Sequence, residues 1–211
     1  STEDTSPGGG QRAAHAFSVD VPGLLEALTE QFPEPLLCVR ERVQNAADAG
    51  ARRIDIEVSH DRARGLARLA VRDDGRGMGA GDVEGYLTIG FSEKDPGQHR
   101  GRFGIGKLSP YALGFERMLV DTSTGTEATR IELLPDGTGE VTPRLAGPPG
   151  TEVRVYTRAC RDEAEQLSKR VFDIARESCG SIGIPLLVNG QAVNQPLGLP
   201  TRYALHFETA A

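Results

Sequence analysis

A short run of alternating apolar and polar residues constrains the fold of this chain most. In residues 52–59, RRIDIEVS, three β-branched apolar side chains alternate with Asp55 and Glu57. This period of two predicts a strand with one face in a core and one face toward water. After a turn near 61–65, residues 66–73, LARLAVRD, are expected to form its antiparallel partner. The chain is therefore expected to contain a β-hairpin with one buried face.

Helical periodicity is found on both sides of this hairpin. Residues 35–49 carry apolar side chains along one side, which predicts a helix that ends at Gly50. A longer helix is predicted from Arg161 to Cys179, capped by Gly180. Further elements are expected at a short strand 17–19, a helix from about Pro22 to Phe32, strands 116–122, 129–134 and 151–157, and a hairpin within 184–193 that turns at Asn189–Gly190. Short turns between strands and grouped helices favour a helical layer packed on a largely antiparallel or mixed sheet.

The composition restricts the class of protein. With 211 residues, 38% of them hydrophobic, the chain suits one large globular domain with a core. Its net charge of −6 argues weakly against a nucleic-acid surface, which is normally basic. No apolar run approaches the roughly 18 residues of a membrane span, so no membrane partner is expected. Three cysteines without a CxxC pair indicate reduced thiols in a cytoplasmic protein.

Three polar side chains recur along the helix predicted for residues 35–49. In ERVQNAADAGA, Glu41, Asn45 and Asp48 fall within roughly 60° of one another on a helix, opposite the apolar positions. A solvated face of an amphipathic helix explains this stripe by itself. Asparagine and aspartate are poor helix formers, however, so their presence favours a second explanation. The stripe is therefore a candidate for a polar site.

A carboxylate followed by two glycines ends the second strand of the hairpin. In VRDDGRGM, residues 71–78, Asp73 precedes Gly75 and Gly77. Small residues at a strand end let a flat ligand approach the backbone, and a buried aspartate can accept a hydrogen bond from an exocyclic amine. An ordinary turn explains the same pattern equally well. The motif by itself leaves both interpretations open.

A second group of glycines precedes a helix-compatible stretch. GRFGIGKLS, residues 101–109, contains Gly101, Gly104 and Gly106. Glycines at a helix start expose backbone N–H groups where phosphate is stabilised by the helix dipole. The spacing is not that of the GxxxxGK[ST] loop, and it does not follow a strand closely enough for a dinucleotide-binding motif. Alone, this motif is a weak indication of a phosphate site.

Together and in this order, the three motifs resemble those of the Bergerat-fold ATPases of the GHKL superfamily. That superfamily includes DNA gyrase B subunits, ninety-kilodalton heat-shock chaperones, histidine kinases and MutL. A fourth element, Gly150–Thr151 at the start of a predicted strand, is similar to the family's Gly-Thr pair. The resemblance covers about residues 17–195 and implies an α+β two-layer sandwich, with helices on one face of a mixed, mostly antiparallel sheet. Residues 1–16 are then expected to be a disordered tail, and 196–211 an extension leading to an absent downstream domain.

The resemblance implies that the chain binds ATP with Mg²⁺ and hydrolyses the ATP. Glu41 would orient and deprotonate the attacking water. Asn45 would ligate Mg²⁺ through its amide oxygen. Asp73 would accept a hydrogen bond from the adenine amine, with Thr151 beside it. The other ATP-binding residues that the resemblance implies are Asp48, Gly75, Gly77, Met78, Lys94, Gly101, Arg102, Phe103, Gly104, Ile105 and Gly106.

The glycine-rich region between the second and third motifs is expected to be irregular. Residues 79–108 carry few helix or strand signals and are predicted to form a long mobile loop, with 79–100 as a candidate ATP lid. Lys94 could contact phosphate, although an exposed loop lysine usually has no specific role. Lys107 could contact phosphate or point to water. Arg76 could lie near the adenine or be solvated.

The branch of the superfamily is suggested by the segment 17–49, which most resembles the chaperone class. A strand, a helix and a short connector precede the motif helix in that class. This implies an ATPase, slow as an isolated domain, whose nucleotide gates a lid and the closure of a homodimer. A serine protein kinase of the anti-sigma type, or a nucleotide switch of a MutL- or gyrase-like DNA-acting assembly, remains as an alternative. Because the net charge is acidic, nucleic acid is not expected as a partner.

Overall fold

The computed structural model of the chain describes residues 21–30, 34–88 and 106–194. The α-helices in these ranges are α1 (Val21–Thr29), α2 (Leu37–Asp48), α3 (Ala80–Leu87) and α4 (Arg161–Cys179), and a 3₁₀ helix covers Gly106–Leu113. The strands are β1 (Ile54–Asp61), β2 (Leu66–Asp73), β3 (Arg117–Ser123), β4 (Ala128–Leu133), β5 (Gly139–Arg144), β6 (Gly150–Arg158), β7 (Leu186–Val188) and β8 (Gln191–Ala192).

The eight described strands form one sheet in the order β5-β4-β3-β6-β2-β1-β7-β8. Neighbouring strands run antiparallel. The exception is the pair β1 and β7, which is parallel. Strands β1 and β2 form the expected hairpin, with Ile54 opposite Asp73 and Asp61 opposite Leu66. The prediction of a mixed, mostly antiparallel sheet is confirmed.

The apolar core lies on one face of this sheet, beneath the helices. One cluster joins α2 and α4 to β1, β2 and β7, and includes Val39 and Val71. A second cluster joins α3 to β3, β4 and β6, and includes Val83, Val120 and Val153. Because Val71 is opposite Val153 and Val153 is opposite Val120, both clusters share one face of the sheet. The predicted α+β two-layer sandwich is confirmed.

The opposite face of the sheet carries charged side chains that pair across strands. Asp121 on β3 accepts hydrogen bonds from Arg130 on β4 at 2.7 Å and is also paired with Arg154 on β6. The Arg117 guanidinium lies 4.7 Å from the centre of the Tyr156 ring. These contacts link neighbouring strands but bury little apolar area. They are consistent with helices on one side of the sheet within the described ranges.

Local sequence signals explain where several elements end. Helix α2 ends in a left-handed Gly50 with φ +73°, and the N–H of Ala51 donates to the carbonyl of Ala46 at 3.0 Å. This pattern is the Schellman motif that glycine favours at a helix C-terminus. Helix α4 covers the residues predicted for it. Asn189 and Gly190 have φ of +49° and +79°, as expected of the tight turn between β7 and β8.

Two elements were missed in the sequence. Helix α3 lies inside the region that was predicted to be a loop, so that prediction is wrong for Ala80–Leu87. The Asp82 carboxylate accepts the N–H of Gly79 at 3.1 Å and caps the helix, while Val83 is buried in the second cluster. Strand β5 was also missed, because all six of its residues are exposed and no apolar alternation marks it. The predicted strand at 17–19 and the helix end at Phe32 lie outside the described residues.

The three cysteines are free thiols, as predicted. Burial raises the pKa of Cys38 to about 12, and burial also raises the pKa of Cys179. Both thiols are therefore protonated at neutral pH and unreactive. In the described ranges, no helix is long and apolar enough to cross a membrane.

Candidate functional site

Three polar side chains lie in a row at one end of the helix-covered face of the sheet. Asp73 ends β2, Thr151 is the second residue of β6, and Thr122 lies near the end of β3. In register, Asp73 is opposite Thr151, and Thr151 is opposite Thr122. The two threonine hydroxyls are 3.1 Å apart. The next row inward is apolar, so polar and apolar surfaces meet here, as they do in many small-molecule sites.

The carboxylate of Asp73 is half-buried and held in one orientation. Its Oδ1 atom accepts a hydrogen bond from the backbone N–H of Gly75 at 2.8 Å. Burial raises the pKa of Asp73 above its ordinary value of 3.8, although hydrogen bonds from the N–H groups of Gly75 and Thr151 act in the opposite direction. The side chain is thus an oriented acceptor in partly dry surroundings. Such a group suits recognition of a neutral donor such as an amine.

The glycines after Asp73 allow the backbone to approach two other elements closely. A Cβ atom at Gly75 would lie 2.9 Å from the Cβ of Ala49, the residue that follows α2. The N–H of Arg76 donates to the carbonyl of Ala49 at 2.9 Å. The DxGxG motif is therefore bonded to the C-terminal end of α2, which brings the first two sequence motifs together.

Gly77 is required by both conformation and space. Its φ is +71°, and a Cβ at this position would overlap the carbonyl group of Ser123. The next residue, Met78, donates its N–H to the Thr122 hydroxyl at 2.7 Å. The Met78 side chain packs against the second apolar cluster. The motif thus crosses the end of β3 and places a methionine beside the polar row.

The Gly-Thr pair at the start of β6 meets the same end of the sheet. Gly150 has a φ of +145°, and a Cβ there would overlap the backbone carbonyl of Asp73. Glycine therefore lets β6 approach β2 at the position where Thr151 faces Asp73. The close approach explains why a glycine precedes this threonine.

The polar stripe of α2 was predicted correctly as a helical feature. Glu41 and Asn45 are half-buried, and Asp48 is exposed. Neither the Glu41 carboxylate nor the Asn45 amide makes a hydrogen bond or ion pair with another residue, as far as the described residues allow. Asp48 accepts a hydrogen bond from Gln44 at 2.9 Å. Among the described residues, Glu41 and Asn45 thus have unpaired polar atoms on the helix that ends at the DxGxG motif.

Some of the predicted site residues lie outside the described residues. These residues are Lys94 and all of 101–105. The backbone of Gly106 is described and begins the 3₁₀ helix. The side chain of Lys107 is not described. Arg76 is described, and its Nη1 atom lies 2.7 Å from the Asp82 carboxylate at the start of α3. The proximity of Arg76 to an adenine stays a prediction, whereas its contact with α3 is this ion pair. The ion pair lowers the pKa of Asp82.

Sequence reasoning missed two polar residues, one in this row and one next to it. Thr122 lies in a predicted strand, but only the strand register brings its hydroxyl next to Thr151 and Met78. Asp74 accepts the backbone N–H groups of Arg52 and Arg53 at 2.6 and 2.9 Å and ties the turn after α2 to the end of β2. The doubled aspartate in VRDDGRGM was the available signal for Asp74.

Comparison with known protein families agrees with this geometry. A family model described as "Histidine kinase-, DNA gyrase B-, and HSP90-like ATPase" matches residues 35–134. The match begins before α2 and ends after β4, so it includes the polar stripe and the DxGxG motif. It also includes the glycine motif at 101–106.

Curated relatives point to one branch of that superfamily. The chain is 32% identical to a DNA mismatch repair protein MutL of Anaeromyxobacter sp. (strain K), over 73% of this chain and 28% of that protein. It is 29% identical to MutL of Desulforudis audaxviator (strain MP104C), over 79% of this chain and 32% of that protein. It is 30% identical to MutL of Pseudomonas putida (strain GB-1), over 72% of this chain and 25% of that protein. The match thus spans about a third or less of each relative.

These relatives change the expected branch. They support the MutL-like alternative, and the chaperone-type interpretation finds no support in them. The expectation that nucleic acid is not a partner is likewise not confirmed. The wider resemblance is supported: residues 35–134 match the family of histidine kinase-, DNA gyrase B- and HSP90-like ATPases, which is the GHKL superfamily.

Proposed function

We propose that this domain binds ATP with Mg²⁺ and hydrolyses it slowly, as the nucleotide switch of a MutL-like assembly. The observation that carries the proposal is the row of Asp73, Thr151 and Thr122 at the end of an apolar sheet face. A purine needs apolar surface for its ring and an acceptor for its amine, and this row supplies both. Guanine has a carbonyl oxygen where adenine has the amine, so an ionised Asp73 favours ATP over GTP.

Asn45 fits the role of a Mg²⁺ ligand. Its amide oxygen has no partner among the residues that the structure describes, and Mg²⁺ prefers oxygen ligands. Mg²⁺ is commonly held by one or two protein groups together with substrate phosphates. When bound, the ion would neutralise charge that develops on the phosphates. We assign to Asn45 an indirect contact with the phosphates through the ion. We assign direct phosphate contacts to the motif at 101–106, with Lys94 as a further candidate.

Glu41 fits the role of the general base. It precedes Asn45 by about one turn of α2, so both side chains lie on the same side of the helix. Its carboxylate likewise has no protein partner within the described ranges. We assign to it the orientation of the attacking water and the removal of a proton from it. Asp48, on the same stripe, would support the site through water.

The names of the relatives supply the proposed context. They are DNA mismatch repair proteins, which supports a nucleotide switch in a DNA-acting assembly. The homodimer belongs to this proposal and is implied by the resemblance to the superfamily. Nucleotide binding would then gate the association of two copies and access to nucleic acid. The chain spans 28% of the first of these relatives, so its partners are inferred and belong to this proposal.

A paired measurement on α2 variants tests the proposal. ATP affinity and single-turnover hydrolysis would be measured for wild type, Glu41→Ala and Asn45→Ala, with the exposed Arg40→Ala on the same helix as a control. Because a general base contributes about 100- to 10,000-fold in rate, Glu41→Ala should bind ATP nearly normally but turn over at background. Asn45→Ala should lose both affinity and rate, because it removes the metal ligand.

Two results would contradict the proposal. If Glu41→Ala hydrolysed ATP as fast as wild type, Glu41 would not be the base. If the wild-type chain instead transferred phosphate to a serine of a partner protein, the serine kinase alternative would be correct.

A further inference from the structure

A buried arginine lies directly beside the proposed general base. Arg42 follows Glu41 on α2 and is 8% exposed, on the side of the helix where the buried neighbours Val39, Val43 and Ala46 are apolar. A buried charge is costly unless it is compensated by contacts that depend on its position. The sequence pattern of α2 would be satisfied by an apolar residue here. The arginine therefore calls for an explanation in terms of its contacts.

Tyr86 near the end of α3 makes two contacts with this guanidinium. The Nη1 atom of Arg42 donates to the Tyr86 hydroxyl at 3.3 Å. The Cζ atom of Arg42 also lies 5.6 Å from the centre of the Tyr86 ring, within the range of a cation–π interaction. A planar guanidinium that contacts both the ring and the hydroxyl links α2 to α3.

Arg42 borders a small void between α2 and the sheet. Arg42, Pro110 of the 3₁₀ helix and Val71 and Val153 of the sheet line a void of only about 10 Å³. That volume is at the lower limit for a single water molecule. Arg42 thus lies where α2, the sheet and the 3₁₀ helix meet.

Helix α3 is itself fixed to the DxGxG motif at its other end. Arg76 of that motif is paired with Asp82 in the first turn of α3, at 2.7 Å. Asp82 also accepts the N–H of Gly79, the cap residue. Helix α3 therefore connects the DxGxG motif, through Asp82, to α2, through Tyr86. A change at one of these contacts can be transmitted to the other through a short rigid helix.

We propose that Arg42 is a positioning residue for ATP hydrolysis: its contact with Tyr86 sets the rotation of α2 and thereby the direction of the Glu41 carboxylate. A rotation of α2 by about 10° would move a side-chain tip about 6 Å from the helix axis by about 1 Å. A misplacement of about 1 Å can cost about 100-fold in rate. This inference rests on the proposed function, because it assigns Arg42 to the reaction of the same site.

Single-turnover hydrolysis and ATP affinity test the inference in Tyr86→Phe, Arg42→Lys and Arg42→Met. Tyr86→Phe removes only the hydroxyl and should slow turnover about 10-fold with the Kd for ATP within about twofold. Arg42→Met should slow turnover about 100-fold, and Arg42→Lys should restore part of the rate because it keeps the charge.

Matched controls come from the same chain. Tyr156→Phe is the control for Tyr86→Phe, because Tyr156 is also covered by an arginine but lies on the charged face of the sheet. Arg40→Met is the control for Arg42→Met, because Arg40 is an exposed arginine of the same helix. Both should leave rate and affinity unchanged. The double variant Arg42→Met/Tyr86→Phe should be no slower than Arg42→Met alone, since both changes remove one contact.

Three results would overturn the inference. The first is that Tyr86→Phe and Arg42→Lys both turn over ATP at the wild-type rate. The second is that the loss of rate in the variants follows their unfolded fraction. The third is that the loss of rate is matched by weaker ATP binding. A readout without nucleotide separates this inference from the proposed function: the amide resonances of Glu41 and Asn45 should shift in Tyr86→Phe but not in Tyr156→Phe. If wild type fails to hydrolyse ATP, the proposed function is wrong. The amide shifts of Glu41 and Asn45 then still test whether Tyr86 positions α2, and their absence in Tyr86→Phe would show that it does not.

Discussion

Replacement of Asp73 by asparagine tests the proposed adenine contact most directly. The carboxylate has two acceptor oxygens, and Oδ1 is occupied by the N–H of Gly75. An asparagine side chain supplies one acceptor and one donor in the same space. If its oxygen keeps the bond to Gly75, its NH₂ group faces the position of the adenine amine. Two donors then meet, and neither is satisfied.

The size of the effect follows from these contacts. A hydrogen bond to a charged group contributes about 1.5–3 kcal/mol, and a donor left unsatisfied costs about 1–3 kcal/mol more. Together they predict a loss of about 2.5–6 kcal/mol, or about 70- to 25,000-fold in Kd. The fold should be little affected, because burial raises the pKa of Asp73 and removing its charge therefore removes a cost of burial. We expect the thermal midpoint to change by no more than about 3 °C.

Titration calorimetry with Mg·ATP measures this prediction, with Asp74→Asn as the matched control. The Asp74 Oδ1 atom accepts the N–H groups of Arg52 and Arg53, and an asparagine oxygen can keep both bonds. Asp74→Asn should therefore bind ATP within about twofold of wild type. Equal affinity of wild type and Asp73→Asn, or a preference of wild type for GTP, would refute the adenine contact.

Two further predictions concern pH and backbone conformation. The pKa of Asp73 is raised above 3.8 in the folded chain, so its contribution to stability is present at low pH and is lost as pH rises through that pKa. ATP affinity should change in the opposite sense, because only the ionised carboxylate accepts from the amine, and should fall as pH drops through the same pKa. Calorimetry at several pH values checks this, and an affinity independent of pH down to 4 would contradict it. Gly77→Ala should lower the free energy of unfolding by at least about 3 kcal/mol, because the added Cβ overlaps Ser123. Gly50→Ala, with a similar φ of +73° but open space around it, should cost only about 1–2 kcal/mol, and equal losses in urea unfolding would contradict the argument.

Prediction from sequence succeeded where local chemistry decides the structure. The alternation in 52–59 predicted β1, and the turn after it predicted β2 as its hairpin partner. The asparagine–glycine pair predicted the turn between β7 and β8. The apolar stripe of residues 161–179 predicted α4 with its observed ends. In each case the signal and the structure involve neighbouring residues, so no knowledge of distant contacts is needed.

Prediction failed where distant contacts supply the stability. Helix α3 has eight residues, too few to be stable alone, and is held by Val83 in the core and by the ion pair of Arg76 with Asp82. Strand β5 is exposed throughout and exists because β4 pairs with it. The chaperone branch also finds no support in the relatives, because the motifs are shared between branches.

The candidate site likewise has features that the sequence predicts and features that depend on tertiary contacts. The sequence by itself determined its chemistry: Glu41 and Asn45 on one side of a helix, and a carboxylate followed by two glycines at a strand end. Only the tertiary structure decided which groups meet. Strand register brought Thr122 to Thr151, and close packing buried Arg42 against Tyr86. The physical reason is that side-chain type and helical spacing are local properties, whereas register and burial depend on residues far apart in the chain.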